Sequence, residues 1–160
     1  MGERSAGSPE RVSTALQRCF LGAIVSAVPT RSNLVELVVA RAVVRRGGRV
    51  LLLRRAAWDS YPGAWELPGG KADPDESPEC AVERELFEET GLRTVGQPRL
   101  EFDCVVRSPS GRTVAKYFFE VSTEGRPVLS REHDDLVWHD PATPLPAPLT
   151  PATAAALRRY

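Results

Sequence analysis

Beyond residue 33 the chain settles into short apolar runs separated by turn signals. Residues 34–45 (LVELVVARAVVR) are apolar and β-branched, residues 46–49 (RGGR) carry a Gly-Gly pair, and residues 50–53 (VLLL) form a second apolar run. Two such runs around a tight glycine turn predict a β-hairpin. Residues 56–63 read as a loop and residues 64–67 as a short strand, broken by Pro68-Gly69-Gly70. Ser77 and Pro78 have the residue types of a helix cap and first helical position, and Gly91 that of a left-handed C-terminal residue, so a helix is expected over residues 78–90. Within it Ala81, Val82, Leu86 and Thr90 keep near-helical spacing, giving one stripe that can pack on a sheet. Residues 100–107 and 113–121 alternate around Ser108-Pro109-Ser110-Gly111, a second hairpin, and residues 136–139 form a further short strand. The proline-rich stretch 141–151 leads into a last helix, with Thr150 as its cap and Pro151 opening it. No internal repeat is present. Two hairpins, an inserted helix and a terminal helix predict an α+β fold, an α/β/α sandwich with a mixed β-sheet.

The first thirty-three residues look different. Residues 1–10 are polar and rich in Gly, Ser and Pro, which predicts a disordered start. Residues 11–28 form an appendage and residues 29–33 a linker, so the expected division is a tail over residues 1–33 and one domain over residues 34–160. The longest apolar run, residues 19–28, is half of the roughly 20 residues that a membrane span needs. It resembles the apolar part of a secretion signal, but Glu3 and Glu10 precede it. We therefore read it as a docked helix or strand. What this segment does (a dimer contact, a lid, or nothing ordered) stays open.

Charge narrows the function classes. Lys and Arg together number 21, as do Asp and Glu, so the molecule offers no overall field for nucleic acid or an anionic membrane. A small molecule is the expected partner, and any anion site must be local. Cys19, Cys80 and Cys104 are too few and scattered for a disulfide framework and form no C-x-x-C pair, which suits a reducing cytoplasm.

The chemistry lies in residues 70–92, GKADPDESPECAVERELFEETGL. On a helix, Glu85, Glu88 and Glu89 stand at i, i+3 and i+4, so three carboxylates share one face. By themselves they read as a solvated acidic face, and three like charges destabilise an isolated helix. They make sense around a hard divalent cation, since Mg²⁺ and Mn²⁺ prefer oxygen ligands. Such an ion turns a carboxylate cluster into a phosphate site and lowers the pKa of bound water. Gly69 and Gly70 permit a tight turn that brings a backbone carbonyl close to the metal. Arg84 can orient Glu76 or a neighbouring carboxylate through a bidentate contact. Leu86 and Leu92 anchor the helix.

The full spacing resembles the Nudix box, G-x5-E-x7-R-E-U-x-E-E-x-G-U with U a bulky aliphatic. All nine positions are filled: Gly70, Glu76, Arg84, Glu85, Leu86, Glu88, Glu89, Gly91 and Leu92. At average composition, nine specified positions coincide at a given start with a chance on the order of one in a billion. The lead-in Trp65-Glu66-Leu67-Pro68-Gly69-Gly70-Lys71 is similar to that of MutT-like members. The resemblance covers residues 34–159 and implies the family's Nudix fold. It also implies Mg²⁺- or Mn²⁺-dependent attack of water on a phosphorus of a nucleoside diphosphate linked to another moiety. Glu85, Glu88, Glu89 and the Gly70 carbonyl would then be metal ligands, with Arg84, Glu76 and Gly69 in support. Family members often recruit one more acid from outside the box. Glu132, in Ser130-Arg131-Glu132-His133-Asp134-Asp135, is the foremost candidate, an acidic surface turn being the other reading of it; Glu120 is the weaker candidate.

Other residues carry open alternatives. Lys71 beside the glycine turn is a candidate phosphate contact. Arg54 and Arg55 flank the same track, or simply end a strand in solvent. Trp58, Tyr61, Trp65, Phe102, Tyr117, Phe119 and Trp138 could stack a base or fill the core, and Trp65 is the one adjoining the box. His133 and His139 read as surface residues before acid or base groups. Three functions follow in order: a nucleoside triphosphate pyrophosphatase, an ADP-ribose or nucleotide-sugar pyrophosphatase, and a non-catalytic nucleotide-binding module. The second lacks support from Pro109, which lies slightly beyond the position where such relatives carry a proline. The third sits badly with an intact set of ligands.

Overall fold

The computed structural model describes residues 35–159, so the expected tail, linker and Cys19 lie outside the described residues. Its elements run β1 (Leu37–Arg46), β2 (Arg49–Arg55), β3 (Trp65–Glu66), α1 (Pro78–Thr90), β4 (Arg93–Thr94), β5 (Arg99–Arg107), β6 (Thr113–Val121), β7 (Thr123–Glu124), β8 (His133–His139) and α2 (Pro151–Leu157).

Strand β1 is apolar on both faces because it is covered on both. Ala40, Ala42 and Val44 pack on the α1 side with Leu51, Leu53, Val82, Leu86 and Phe119. Val43 packs on the α2 side with Val50, Leu52, Leu67, Phe118 and Ala156. Strands β1 and β6 are parallel from Leu37↔Val114 to Val44↔Val121, and β5 joins β6 antiparallel. The sheet order is β3-β2-β1-β6-β5, with β8 also on β2. A mixed sheet with one helix on each face is the sandwich that the pattern predicts. Each fully buried leucine, such as Leu86 or Leu92, contributes about 1.5–3 kcal/mol by leaving water.

The first hairpin departs from expectation. Strands β1 and β2 pair only at Arg45↔Val50 and Arg46↔Arg49, beside the Gly47-Gly48 turn, and then part. Strand β2 turns instead to β8 on one edge and β3 on the other. The edge of β1 that β2 leaves is taken by the chain around the Pro-Gly-Gly turn. Ala42 N–H donates to the Pro68 carbonyl (2.8 Å), Ala40 N–H to that of Gly70 (2.9 Å) and Ala72 N–H to that of Val38 (3.0 Å). Buried backbone groups must find partners, and here a functional loop supplies them. The glycine turn is thereby fixed in the middle of the sheet. Gly69 has φ 127°, and a Cβ there would run into the Ala40 backbone.

Three smaller differences stand out. Strand β8 begins at His133 rather than residue 136, since Arg55↔His133 and Arg54↔Asp135 extend the ladder across a bulge. Strands β4 and β7, absent from the sequence reading, pair through Arg93↔Glu124 and Thr94↔Thr123. Thr150 occupies the N-cap of α2 without a capping bond, because its hydroxyl donates to Thr153 Oγ1 instead (3.0 Å). Among the described residues no helix is long and apolar enough to cross a membrane.

Candidate active site

Helix α1 starts and stops where its local chemistry directs. Ser77 Oγ accepts from Cys80 N–H (3.2 Å), Pro78 opens the first turn, and Gly91 at φ 65° closes it by donating to the Phe87 carbonyl (2.7 Å). The buried stripe contains the expected Ala81, Val82, Leu86 and Thr90, and also Glu89. The three box glutamates thus differ in depth. Glu89 is buried, the Glu85 side chain is mostly covered, and that of Glu88 is 57% exposed.

Both glycines of the turn receive these carboxylates. Gly69 N–H donates to Glu89 Oε2 at 2.7 Å. A Cβ on Gly70 would lie 2.5 Å from the Glu85 carboxyl carbon, so the bare backbone is what lets that side chain pack here. The Gly70 carbonyl, expected to face a metal, accepts the Ala40 N–H and keeps one further lone pair.

Arg84 ties the box together. Its Nε and Nη2 fork onto the two Glu76 oxygens (3.0 and 2.8 Å), and Nη1 reaches both Glu85 Oε1 (2.9 Å) and Glu88 Oε2 (3.2 Å). Nη2 also donates to the Lys71 carbonyl (2.9 Å). The hydrogen bond from Arg84 holds the Glu76 carboxyl below its ordinary pKa. One guanidinium therefore fixes the spacing between the shallower carboxylates.

A second group meets the cluster from beneath. Glu66 is fully buried and pairs with Arg41 Nη2 (3.1 Å), Arg55 Nη1 and His133 Nε2 (3.2 Å). His133 Nε2 lies 4.0 Å from Glu89 Oε1, and one ligand atom each from Glu66, Glu89 and His133 fall within 4.8 Å of one another. Burial would raise the Glu66 pKa, but the His133 hydrogen bond and the charges of Arg41 and Arg55 bring it below the ordinary value. Glu89 goes the other way. Burial pushes it up to about 7, and Arg41, His133 and the Gly69 N–H offset this only in part. Burial also raises Glu85, against Arg84. The ligand atoms that come within 4.8 Å of one another are thus two carboxylate oxygens and one imidazole nitrogen. Glu89, the carboxylate with no guanidinium bonded to it, together with the oxygen donors of Glu85, suits a divalent cation such as Mg²⁺ or Mn²⁺.

The remaining candidates fall elsewhere. Glu132 is exposed; its backbone carbonyl accepts the Ala56 N–H, and among the described residues no bond or ion pair joins its carboxylate to the box. Its neighbour His133 is the side chain that enters. Glu120 pairs with Arg99 and Arg45. Arg54 bonds Asp134 (2.6 Å), approaches Asp135 and lies over the Trp65 ring. Trp65 lines a groove of about 410 Å³ with Asp135, Val137, His139, Thr143 and Pro144, none of them a box residue. Lys71 is exposed beside the glycine turn.

Sequence reasoning missed Arg41, Arg55, Glu66 and His133. Both histidines, read as surface residues, are buried, and Arg55, read as flanking a phosphate track or ending a strand in solvent, reaches inward to Glu66. The available signal was a charge inside an apolar run, Arg41 in LVVARAVV and Glu66 in WEL, since an unpaired buried charge is costly and implies a partner.

Residues 36–160 match the NUDIX domain family. Among curated proteins, the chain is similar to CTP pyrophosphohydrolase of Escherichia coli, at 37% identity over 123 residues, 76% of this chain and 89% of that one. It is also similar to a putative 8-oxo-dGTP diphosphatase 2 of Mycobacterium tuberculosis, at 37% identity over 107 residues, 64% of this chain and 72% of that one. Among solved structures, a MutT NUDIX hydrolase from Burkholderia pseudomallei superposes with a TM-score of 0.68 and 32% identity, covering 76% of this chain and 95% of the other.

Proposed function

The chain belongs to the NUDIX family and is a Nudix pyrophosphohydrolase, and from that premise we propose that it hydrolyses nucleoside 5′-triphosphates to a monophosphate and pyrophosphate with Mg²⁺ or Mn²⁺. One observation carries the reading. Glu89 accepts the Gly69 N–H, Glu85 packs on Gly70 and Glu88 shares the Arg84 guanidinium with Glu85, which leaves Glu89 without a bonded cation at the turn. Glu85, Glu88 and Glu89 would hold the ion, and the free lone pair of the Gly70 carbonyl is available to it. The ion supplies charge neutralisation at the phosphates and a more acidic water. Arg84 keeps Glu85 and Glu88 spaced and is itself held by Glu76. The water oxygen bonds to phosphorus as the bridging P–O bond breaks, pyrophosphate leaves with that bond's electrons, and an acidic side chain takes the proton. Lys71 stands at the turn as a phosphate contact, and Glu132 is a solvent-side acid next to His133. The names of the two curated relatives, a CTP pyrophosphohydrolase and an 8-oxo-dGTP diphosphatase, support a triphosphate substrate.

Chromatography of products from nucleoside triphosphates, ADP-ribose and nucleotide sugars, with each metal, tests this. Monophosphate plus pyrophosphate is expected; two monophosphates from a diphosphate diester as the dominant products would replace the reading with the second function. Glu88→Gln and Glu89→Gln should each lower turnover at least about a hundredfold, as when charge-stabilising groups are removed. Undiminished turnover in both would remove the carboxylate cluster from the chemistry.

A further inference from the structure

The cationic side chains next to the glycine turn form a row that the box does not use. Val39 of β1 bridges Lys71 on one edge and pairs with Lys116 of β6 on the other, and Lys116 pairs onward with Cys104 of β5. Residues in register on neighbouring strands share a face, so Lys71, Val39, Lys116 and Cys104 line up across the sheet. Arg41, two residues along β1 from Val39, points to the same face. Arg41 is satisfied by the Leu67 carbonyl (2.9 Å) and Glu66. Lys116 is half-buried, and among the described residues its ammonium has no hydrogen bond, ion pair or ring contact. Burial and the Arg41 charge both press its pKa down. Arg41 also acts on Glu85 and Glu89, so this member of the row lies within electrostatic reach of the carboxylates.

The turn therefore adjoins an under-compensated carboxylate, Glu89, on α1 and, among the described residues, ammonium groups without an anion at Lys71 and at Lys116 on β6. A half-buried ammonium without an anion is unfavourable in the free protein. A polyphosphate carrying a divalent ion would settle both, the ion among the glutamates and the phosphate oxygens along the cations.

We propose that Lys116, with Arg41 and Lys71 in the same row, binds phosphate oxygens of the substrate and selects for a chain of three phosphates over a two-phosphate diester. This deepens the triphosphate reading above and rests on it. A neutral acceptor on a base would leave the ammonium charge unsettled, which favours phosphate.

The test uses the full chain with Lys116→Met and Lys116→Arg, CTP and dGTP as substrates, and inorganic tripolyphosphate with Mg²⁺ as a base-free probe in titration calorimetry. The Met variant should weaken tripolyphosphate binding about tenfold and raise KM for both nucleotides by that same factor, the scale of one lost hydrogen bond to a charged group. The effect on kcat should be smaller than that on KM, and the Arg variant should retain most of the affinity. Thermal melting checks folding, and Lys116→Gln replaces Met if Met does not fold. Unchanged tripolyphosphate binding overturns the proposal, whether KM stays constant or shifts for one base alone. If the parent protein turns over no triphosphate, the proposed function falls; a tripolyphosphate affinity that still depends on Lys116 would leave the cation row standing.

Discussion

Glu66 and Glu89 stand on either side of one histidine, 3.2 and 4.0 Å from its Nε2, and both are buried. Glu66 is flanked by Arg41 and Arg55 and is held below its ordinary pKa. Glu89 has a backbone N–H as its direct partner and is pushed up to about 7. Burial is common to both, so counter-charge makes the difference. The fold neutralises Glu66, which then serves to anchor β3, β2 and β8 to one another. It leaves Glu89 without a bonded cation from the chain, as the proposed metal ligand would be.

The most disruptive way to break this comparison is Glu66→Gln. Removing the anion takes the ion pair from mostly buried Arg41 and leaves Arg55 paired with Asp59, which should destabilise the protein by about 3 kcal/mol in denaturant titration. A loss below about 1 kcal/mol would show that the arginines are served by solvent. Glu89→Gln should act in the opposite sense in metal-free protein. Its pKa rises from 4.5 unfolded to about 7 folded, so the carboxyl's contribution is fully present below 4.5 and is lost as pH climbs to about 7. Above that pH the Gln variant should be the more stable by on the order of 3 kcal/mol, and Mg²⁺ should narrow the gap by stabilising only the parent. Parallel stability curves for the two proteins between pH 4 and pH 8 would abolish the contrast. Arg84→Lys probes the shallow end. A lysine cannot fork onto Glu76 while reaching Glu85 and Glu88, so turnover should fall about tenfold with little change in melting temperature.

The reading of α1 from sequence succeeded almost residue for residue, because everything that decides it is local. A cap, a proline, a 3.6-residue period and a terminal glycine act within a few bonds of one another, and the same period placed Glu85, Glu88 and Glu89 together. The first hairpin was legible at its Gly47-Gly48 turn and not in the extent of its pairing, for the complementary reason. Its turn is local, but the continuation of β2 depends on competition between β1, β3 and β8 for its edges, and on the glycine loop claiming the edge of β1.

The sequence alone thus determined the box, the helix that displays it and the layered α+β architecture, since each is written in short-range pattern. Only the tertiary structure decided that Arg41, Arg55 and His133 meet at Glu66, with His133 coming from 67 positions away. Only it decided that Glu89 is the deep, under-compensated carboxylate while Glu88 faces water. Depth and counter-charge are sums over neighbours brought in by the fold, and no window along the chain contains them.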